Sequence, residues 1–482
     1  MVEEVRLVEG KGLRRAGLFL GPILFVIAIA IPAPDLSFAA QAVGGTTLWM
    51  ATWWVTEAIP IPATALLPLL LLPITGAATP KAAAAPYGSP LIFLFLGGLL
   101  LSLALERWGL HRRVALAIVD WVGTGPVRIT LGFMLATAFL SMWISNTATT
   151  LLMVPIAFAV IEHVNDEQDQ PSDQFGTALM LGIAYAASIG GMATLIGSPT
   201  NVVTAGLVKE LLGTEIDFVQ WLVFAAPFSF AFLLVAWFYL TRFAFRLPHT
   251  GRASHTIRQL RAELGAMTRQ EKIVAVVWSM VALAWLTRPY LLQLFPRWPK
   301  FDDSTIAIAG ALLLFVIPSG AGSKEGILNW DVAVKVPWGI LILFGGGLSL
   351  ASAFTQSKLA VWLGSHLAGF GHIPALAGVF IVTIFTLFLT EFTSNVATAT
   401  LLMPVLAEVG KAFGMDPLML MMSAALAVSG AFMLPVATPP NAIVFGTGFL
   451  TVPKMARAGL VLNLIGSVLI TVFVYWWLPL LW

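Results

Sequence analysis

Two short polar segments with the same residue pattern lie inside long apolar stretches of the chain. "SNTAT" occupies residues 145–149 within the run at about 127–162, and "SNVAT" occupies 394–398 within the run at about 373–410. A buried polar group without a partner costs about 1–3 kcal/mol, so these hydroxyl and amide groups require partners. Bound ions and a polar substrate would provide them. The alternative is that these side chains join neighbouring helices or bond to their own backbone.

A second pair of segments places proline among small and polar residues. These are "GSPTN" at 197–201 and "ATPPN" at 437–441. Proline cannot continue a helix and disfavours helical backbone just before it, so we predict broken helices at about 177–211 and 417–449. One half-helix would end with free carbonyl groups that suit Na⁺, and the other would begin with free N–H groups that suit an anion. A simple proline kink is the alternative.

The paired motifs belong to a longer internal repeat. Asn395 follows Asn146 by 249 residues, and the same interval separates "FLGGLLLSLA" at 95–104 from "FGGGLSLASA" at 344–353. The proline segments recur in the same order. If each polar-centred run is a hairpin that enters and leaves the membrane on one side, repeat 1 has an odd number of membrane crossings. An odd number gives repeat 2 the opposite orientation in the membrane. Inverted repeats with interrupted helices near the membrane midplane are typical of secondary transporters.

The elements that must position these motifs are membrane helices. The chain has 482 residues, of which 59% are hydrophobic and 10% charged, whereas soluble domains carry about 25% charged residues. Many windows reach the roughly 20 apolar residues of a spanning helix. The sequence therefore predicts an all-α polytopic membrane protein. The absence of cysteine excludes disulfides, thiolate catalysis and cysteine-based metal sites.

The repeat divides the chain into four predicted regions. They are an N-terminal region with the first transmembrane helix (1–40), repeat 1 (41–250), a cytoplasmic interfacial linker (251–269) and repeat 2 (270–482). Each repeat contains one of the polar-centred hairpins and one of the broken helices. Three stretches, at 108–123, 252–266 and 356–369, have the amphipathic pattern of helices that lie in the membrane interface.

The distribution of basic residues predicts the orientation. The segment 242–272 contains seven arginine and lysine residues, which favours the cytoplasmic side. Counting helices from there places the N-terminus in the cytoplasm and the C-terminus outside, in the plasma membrane. The segment 162–173 has five acidic residues and no arginine or lysine. Acidic residues have little weight in this rule, so we also place this segment in the cytoplasm.

Together these motifs resemble the divalent anion:sodium symporter (DASS) family. The resemblance includes "WWVTEAIPIPATALLPLLLLP" at 53–73 and "TEFTSNVATA" at 390–399, and it spans nearly the whole chain in the same order. It implies a homodimer with about eleven helices and two re-entrant hairpins per protomer. It also implies an elevator mechanism in which di- or tricarboxylates (succinate, malate, fumarate or citrate) enter with Na⁺.

The resemblance also implies which residues bind the ions and the substrate. The first Na⁺ site would use Ser141, Ser145, Asn146 and the backbone around Gly197. The second would use Thr390, Ser394, Asn395 and the backbone around Ala437. The implied substrate-binding residues are Ser145, Asn146, Thr147, Ser198, Thr200, Ser394, Asn395, Val396, Thr438 and Pro439. These mostly neutral oxygen ligands suit a hard monovalent cation, since Ca²⁺ or Mg²⁺ would require a carboxylate cage.

One position breaks the symmetry of the two motifs. Val396 stands where the first motif has Thr147, so one hydroxyl is replaced by an apolar group. One end of the substrate should therefore meet fewer hydrogen-bond donors. The valine at this position makes the chain similar to citrate-preferring members of the family. We accordingly rank citrate close to succinate and malate.

Two acidic residues lie within predicted membrane helices. An intramembrane acid is a functional candidate by default. For Glu391, three residues before Ser394, we favour a role that anchors the hairpin through backbone N–H groups over a proton relay. We interpret Glu57, in "TEAIP", as structural.

Other functions fit the sequence less well. We find no Gly-x-Ser-x-Gly, His-Glu-x-x-His or aspartate-pair signature in a helix, so we predict no enzyme and no nucleic-acid partner. A channel needs a continuous pore, whereas duplicated broken helices suit alternating access. A Na⁺-independent carboxylate exchanger or a transporter of another anion remains an alternative.

Overall fold

A computed structural model describes residues 2–33, 35–123, 125–166, 173–247, 254–295, 301–320, 325–367 and 373–482. These residues form helices joined by short connections, and within them no β-strand is formed. Eight helices of the described chain are long and apolar enough to cross a membrane. Five shorter apolar helices accompany them. The prediction of an all-α polytopic membrane protein is therefore confirmed.

The N-terminal part is a closely packed group of helices before the first hairpin. It consists of α1 (Val2–Ala30), α2 (Phe38–Thr56), α3 (Ile61–Thr64), α4 (Leu67–Ile74), α5 (Pro80–Ala84), a 3₁₀ turn (Ala85–Gly88) and α6 (Pro90–Arg107). The apolar run at 62–76 forms two short helices rather than one long helix. Pro68 lies in the first turn of α4, the position where proline starts a helix.

The rest of repeat 1 contains two interruptions. Its elements are α7 (Leu110–Val122), α8 (Pro126–Ser141), α9 (Asn146–Asp166), α10 (Asp173–Met192), α11 (Pro199–Leu212) and α12 (Phe218–Tyr239), which ends in a π-helical turn (Leu240–Ala244). Helix α13 (Ser254–Glu263) follows. The predicted boundary between residues 250 and 251 lies outside the described residues. The breaks at 142–145 and 193–198 coincide with the polar cluster and with "GSPTN".

Repeat 2 has the same plan. Its elements are α14 (Arg269–Leu294), α15 (Asp303–Val316), α16 (Trp330–Ala333), α17 (Trp338–Gln356), α18 (Leu359–Leu367), α19 (Ala375–Thr390), α20 (Asn395–Ala412), α21 (Pro417–Ala427), α22 (Pro439–Phe445), α23 (Val452–Trp477) and a final 3₁₀ turn (Leu478–Leu480). The breaks at 391–394 and 428–438 fall at the second polar cluster and at "ATPPN". How the hairpins cross a bilayer stays a prediction.

The interrupted helices meet at the centre of the molecule. Helix α10 is buried along its apolar length and contacts α8, α9, α12 and α22. Helix α11 packs against α17, α20 and α21 of the second repeat. The four interruptions are thus held by contacts that cross from one repeat to the other, which brings the two sets of polar residues together.

Candidate ion and substrate site

The two hairpin tips and the two helix breaks line one cavity of about 800 Å³. Its wall contains every residue that the sequence assigned to the substrate: Ser145, Asn146, Thr147, Ser198, Thr200, Ser394, Asn395, Val396, Thr438 and Pro439. Gly197 and Ala437 also line it. Along α6 the cavity extends from Phe95 to Ser102. Residues more than 200 positions apart in sequence therefore form one site.

Two of the predicted ion ligands lie behind the cavity wall. Ser141, the last residue of α8, is fully buried, and its hydroxyl oxygen is 2.6 Å from Asn146 Oδ1 and 2.6 Å from the Ala187 carbonyl oxygen. A hydroxyl has one hydrogen and two lone pairs, so Ser141 can donate to only one of these oxygens. Ser141 thus lies where its hydrogen can orient the Asn146 side chain, and its lone pairs give it acceptor capacity for a cation.

The second hairpin repeats this arrangement with a threonine. Thr390 is fully buried at the end of α19. Its hydroxyl oxygen is 2.7 Å from Asn395 Oδ1 and 3.0 Å from the Val428 carbonyl oxygen. Each asparagine is thus oriented by a hydroxyl five residues earlier in the chain.

Oxygen atoms converge beside two glycines of the first repeat. A Cβ on Gly197 would lie 2.7 Å from the Gly191 carbonyl oxygen, 3.1 Å from the Ser141 carbonyl oxygen and 3.1 Å from Thr194 Oγ1. A Cβ on Gly191 would lie 2.6 Å from Asn146 Oδ1. Neutral oxygens from unwound backbone and side chains are what transporters offer to Na⁺. This arrangement fits a monovalent cation carried as cargo.

The corresponding place in repeat 2 has slightly larger residues and offers a buried oxygen. Alanine occupies positions 431 and 437, where the first repeat has Gly191 and Gly197. The buried side-chain oxygen Oδ1 of Asn441 finds no hydrogen-bond partner among the described residues, which is an acceptor suited to a cation. No group of three or more His, Asp or Glu residues in the described chain could hold a multivalent metal.

Two asparagines that the sequence analysis did not assign hold the helix breaks in shape. Asn201 Nδ2 donates to the Gly191 and Thr194 carbonyl oxygens at 2.8 and 2.7 Å. Asn441 Nδ2 donates to the Ala431 and Leu434 carbonyl oxygens, both at 3.0 Å. These are equivalent positions of the two repeats. The signal in the sequence is that asparagine ends both "GSPTN" and "ATPPN".

Each hairpin tip is tied to the helix break of its own repeat, but the chemistry of the tie differs. In repeat 1, the Thr194 hydroxyl of the break donates to the Met142 carbonyl oxygen at the tip. In repeat 2, the Glu391 carboxylate at the tip accepts from backbone N–H groups of the break. Glu391 stands 249 residues after Met142, and Leu434 stands 240 residues after Thr194. Equivalent positions are therefore joined, and the break is the donor in both repeats. In repeat 1 a side-chain hydroxyl donates to a backbone carbonyl oxygen, whereas in repeat 2 backbone N–H groups donate to a side-chain carboxylate.

The contacts of Glu391 are numerous. Its carboxylate accepts from the backbone N–H groups of Phe432, Met433 and Leu434 at 2.8–3.1 Å. Asn463 Nδ2 of α23 adds a fourth donor at 2.8 Å. The predicted pairing of Glu391 with backbone N–H groups is confirmed. The hydrogen bond from Asn463 was not predicted.

Four of the described helices begin at the cavity wall, and the short α22, which starts at Pro439, is one of them. The other three, α9, α11 and α20, start at Asn146, Pro199 and Asn395. The first N–H groups of a helix have no intrahelical partner and carry partial positive charge. These helix starts, together with the serine and threonine hydroxyls, provide donors for an anion.

The oxygen cluster around Gly197 gives the first testable prediction. In Gly197→Ala, the new methyl group would lie 2.7 Å from the Gly191 carbonyl oxygen and would occupy the space between the oxygens. We expect the Na⁺ concentration for half-maximal uptake to rise by about tenfold or more, which is a loss of about 1.4 kcal/mol. Uptake of labelled succinate at varied external Na⁺ measures this.

The matched control is Gly88→Ala, since a Cβ on Gly88 has no heavy atom within 4 Å. We expect this variant to keep the Na⁺ dependence of the unmodified chain. If Gly197→Ala had an unchanged Na⁺ dependence, the cluster would not be an ion site.

Comparison with known proteins places these features in context. The family model described as the sodium:sulfate symporter transmembrane region matches residues 14–482. The sodium-dependent dicarboxylate transporter SdcS of Staphylococcus saprophyticus is 45% identical over 472 residues, which cover 96% of this chain and 91% of that protein. The protein of the same name from Staphylococcus aureus is 44% identical with the same coverage.

Two solved structures share the fold at low sequence identity. The YdaH transporter of Alcanivorax borkumensis has a TM-score of 0.56 at 15% identity and covers 90% of this chain and 99% of its own. MtrF of Neisseria gonorrhoeae, described as illuminating a class of antimetabolite efflux pumps, has a TM-score of 0.54 at 13% identity and covers 84% of each chain. At these identities the likeness shows the fold alone.

Proposed function

Because the chain belongs to the sodium:sulfate symporter family, the divalent anion:sodium symporters, we propose that it imports small dicarboxylates or citrate by coupling them to Na⁺. Members of this family are transporters and not enzymes, and Na⁺ is the coupled ion. The SdcS relatives are sodium-dependent dicarboxylate transporters. We extend this activity to the present chain because the match covers nearly its whole length.

The observation that carries the proposal is the single cavity formed by both Ser-Asn motifs. Asn146 and Asn395 line it from opposite repeats, and each is held by a buried hydroxyl. Helix starts and hydroxyl groups face the cavity, so a substrate with two carboxylates can meet donors from both repeats. Na⁺ beside Gly197 would neutralise part of the substrate's charge. Binding of the anion would therefore depend on the charge of bound Na⁺, which couples the two without a basic residue at the motif tips.

The proposed transport cycle is of the elevator type. The hairpins and broken helices (α8–α11 and α19–α22) carry the cavity between them, and their contacts with each other cross the repeats. In this proposal they move as one body past α6 and α17, and the protein works as a homodimer in the plasma membrane. The N-terminus lies in the cytoplasm and the C-terminus outside.

The experiment that tests the function uses purified protein in proteoliposomes. We expect an inward Na⁺ gradient to drive uptake of labelled succinate, malate, fumarate or citrate, and we expect uptake to stop when K⁺ replaces Na⁺. Uptake that is indifferent to Na⁺ but depends on dicarboxylate inside the vesicle would contradict symport. That result would establish the alternative, a Na⁺-independent exchanger.

The side chain at position 396 gives a prediction on substrate preference. Val396 lines the cavity at the place where the first repeat presents Thr147. Val396→Thr replaces a methyl group by a hydroxyl group of similar size. We expect the ratio of succinate to citrate uptake to rise by about fivefold, which corresponds to one hydrogen bond of about 1 kcal/mol. Competition between labelled succinate and unlabelled citrate measures the ratio.

The control for this prediction is Val396→Ala, which removes volume without adding a hydroxyl. We expect Val396→Ala to leave the ratio within about twofold, because no hydrogen bond is gained. If both variants shifted the ratio equally, cavity volume rather than the hydroxyl would decide the preference.

A further inference from the structure

An exposed ion pair lines the substrate cavity and belongs to neither Ser-Asn motif. Arg14 of α1 and Glu57, the residue after α2, line the cavity together with Leu13, Val55 and Thr56. Arg14 Nη2 is 3.2 Å from Glu57 Oε2, and their side chains are 60% and 58% exposed. Among the described residues that line the cavity, these two alone carry a formal charge. The Glu57 side chain is thus exposed and paired with Arg14 rather than buried among other helices.

The pair is not needed to hold α1 against α2. Trp53 Nε1 already donates to the Gly17 carbonyl oxygen at 3.0 Å, and Gly17 and Gly21 pack directly against α2 side chains. Exposed ion pairs contribute little to stability, because water screens them and ordering two long side chains costs entropy. The structural role of the Arg14–Glu57 contact is therefore small.

The backbone of Glu57 adds an independent observation. Glu57 has φ 46° and ψ 40°, in the left-handed region that favours glycine or asparagine. Its backbone N–H caps α2 by donating to the Trp53 carbonyl oxygen. A carboxylate at a position that glycine would occupy without strain points to a use for the side chain.

We propose that Arg14 binds a carboxylate of the substrate at the cytoplasmic mouth of the cavity, and that Glu57 is the resident counter-ion that the substrate displaces. A guanidinium group binds carboxylates with paired N–H donors, and Arg14 is the one cation on the described cavity wall. Because Glu57 competes with the substrate for Arg14, Arg14 attracts the dianion but does not hold it tightly. The carboxylate of Glu57 therefore speeds release into the cytoplasm.

This inference rests on the proposed function and orientation, so the test measures both faces of the membrane. Succinate counterflow is compared in intact cells and in inside-out membrane vesicles that carry the full-length chain. For Glu57→Gln we expect the half-saturating succinate concentration at the cytoplasmic face to fall by about threefold or more. For Arg14→Gln we expect it to rise by about as much, because a rim charge is lost. Values at the outer face should not change.

Two further variants separate substrate binding from structure. Glu57→Gly removes the carboxylate and relaxes the left-handed backbone, so we expect it to fold and to behave as Glu57→Gln does. In the Arg14→Gln background, Glu57→Gln should have no further effect, since Glu57 acts through Arg14. Arg14→Lys should restore part of the affinity lost in Arg14→Gln.

The outcomes distinguish this inference from the proposed function. If the unmodified chain showed no Na⁺-driven carboxylate uptake, the proposed function would fail and this inference with it. If the unmodified chain transported succinate but the variants matched it at the cytoplasmic face, only the role of Arg14 and Glu57 would be overturned. Equal changes at both faces would also overturn it, because they would indicate a general effect on structure.

Discussion

Replacing Asn146 by alanine is expected to abolish Na⁺-driven carboxylate uptake, with a loss of at least about 100-fold, or roughly 2.7 kcal/mol. The Asn146 carboxamide lies at the start of α9, faces the cavity and contacts the buried Ser141 hydroxyl. In the proposed site it serves both the ion and the substrate, so a single change removes ligands for both. Uptake of labelled succinate in proteoliposomes measures the loss.

Asn395→Ala tests the same idea in the other repeat. Because Thr390 holds Asn395 as Ser141 holds Asn146, we expect an equal loss. The control is Gln259→Ala, which removes an exposed carboxamide of α13 whose hydrogen bond within the described chain is to Glu263. A residual uptake above about a tenth of normal in either asparagine variant would contradict this role. It would mean that the side chain contributes less than about 1.4 kcal/mol to ion and substrate binding together.

The second large effect is expected on stability, from Glu391→Ala. The change leaves the backbone N–H groups of Phe432, Met433 and Leu434 without their acceptor. An unsatisfied buried group costs about 1–3 kcal/mol. Phe432 is buried and Met433 and Leu434 are partly buried, so the free energy of unfolding should fall by about 3 kcal/mol. We expect a lower melting temperature in detergent and little transport.

Met142→Ala is the matched control for Glu391→Ala, since Met142 occupies the same position at the first hairpin tip. The tie there uses the Met142 carbonyl oxygen rather than its side chain. We expect Met142→Ala to keep the melting temperature within the range of an ordinary partly buried substitution. Should Glu391→Ala melt no lower than Met142→Ala, the carboxylate would not be the anchor of the second hairpin.

Much of this architecture follows from sequence because its signals are local. Serine, asparagine and threonine inside an apolar run, and proline after small residues, mark the places where helices stop. The structure has its interruptions at these positions, at 142–145, 193–198, 391–394 and 428–438. The repeat strengthened the prediction, since the same pattern appears twice.

What the sequence could not provide are contacts between distant elements. The Asn463 side chain reaches Glu391 from α23, 72 residues away, and no local pattern marks that pairing. The oxygens around Gly197 come from two separate segments, the first hairpin tip and the end of α10 with the break that follows it. Arg14 and Glu57 were not assigned to the cavity because nothing in "TEAIP" indicates that α1 lies beside it. Such features depend on packing, which a single sequence does not specify.

The unequal ties between hairpin tips and helix breaks make the two halves mechanically different. Between tip and break, the first repeat has one hydroxyl tie, from Thr194 to Met142, whereas in the second repeat three backbone N–H groups of the break and Asn463 of α23 donate to Glu391. Losing the Thr194 tie breaks one bond, whereas freeing Glu391 requires all four of its donors to be released together. A duplication that is symmetric in sequence has thus become a stiff half and a compliant half, and local opening should start in the compliant half, around Gly197.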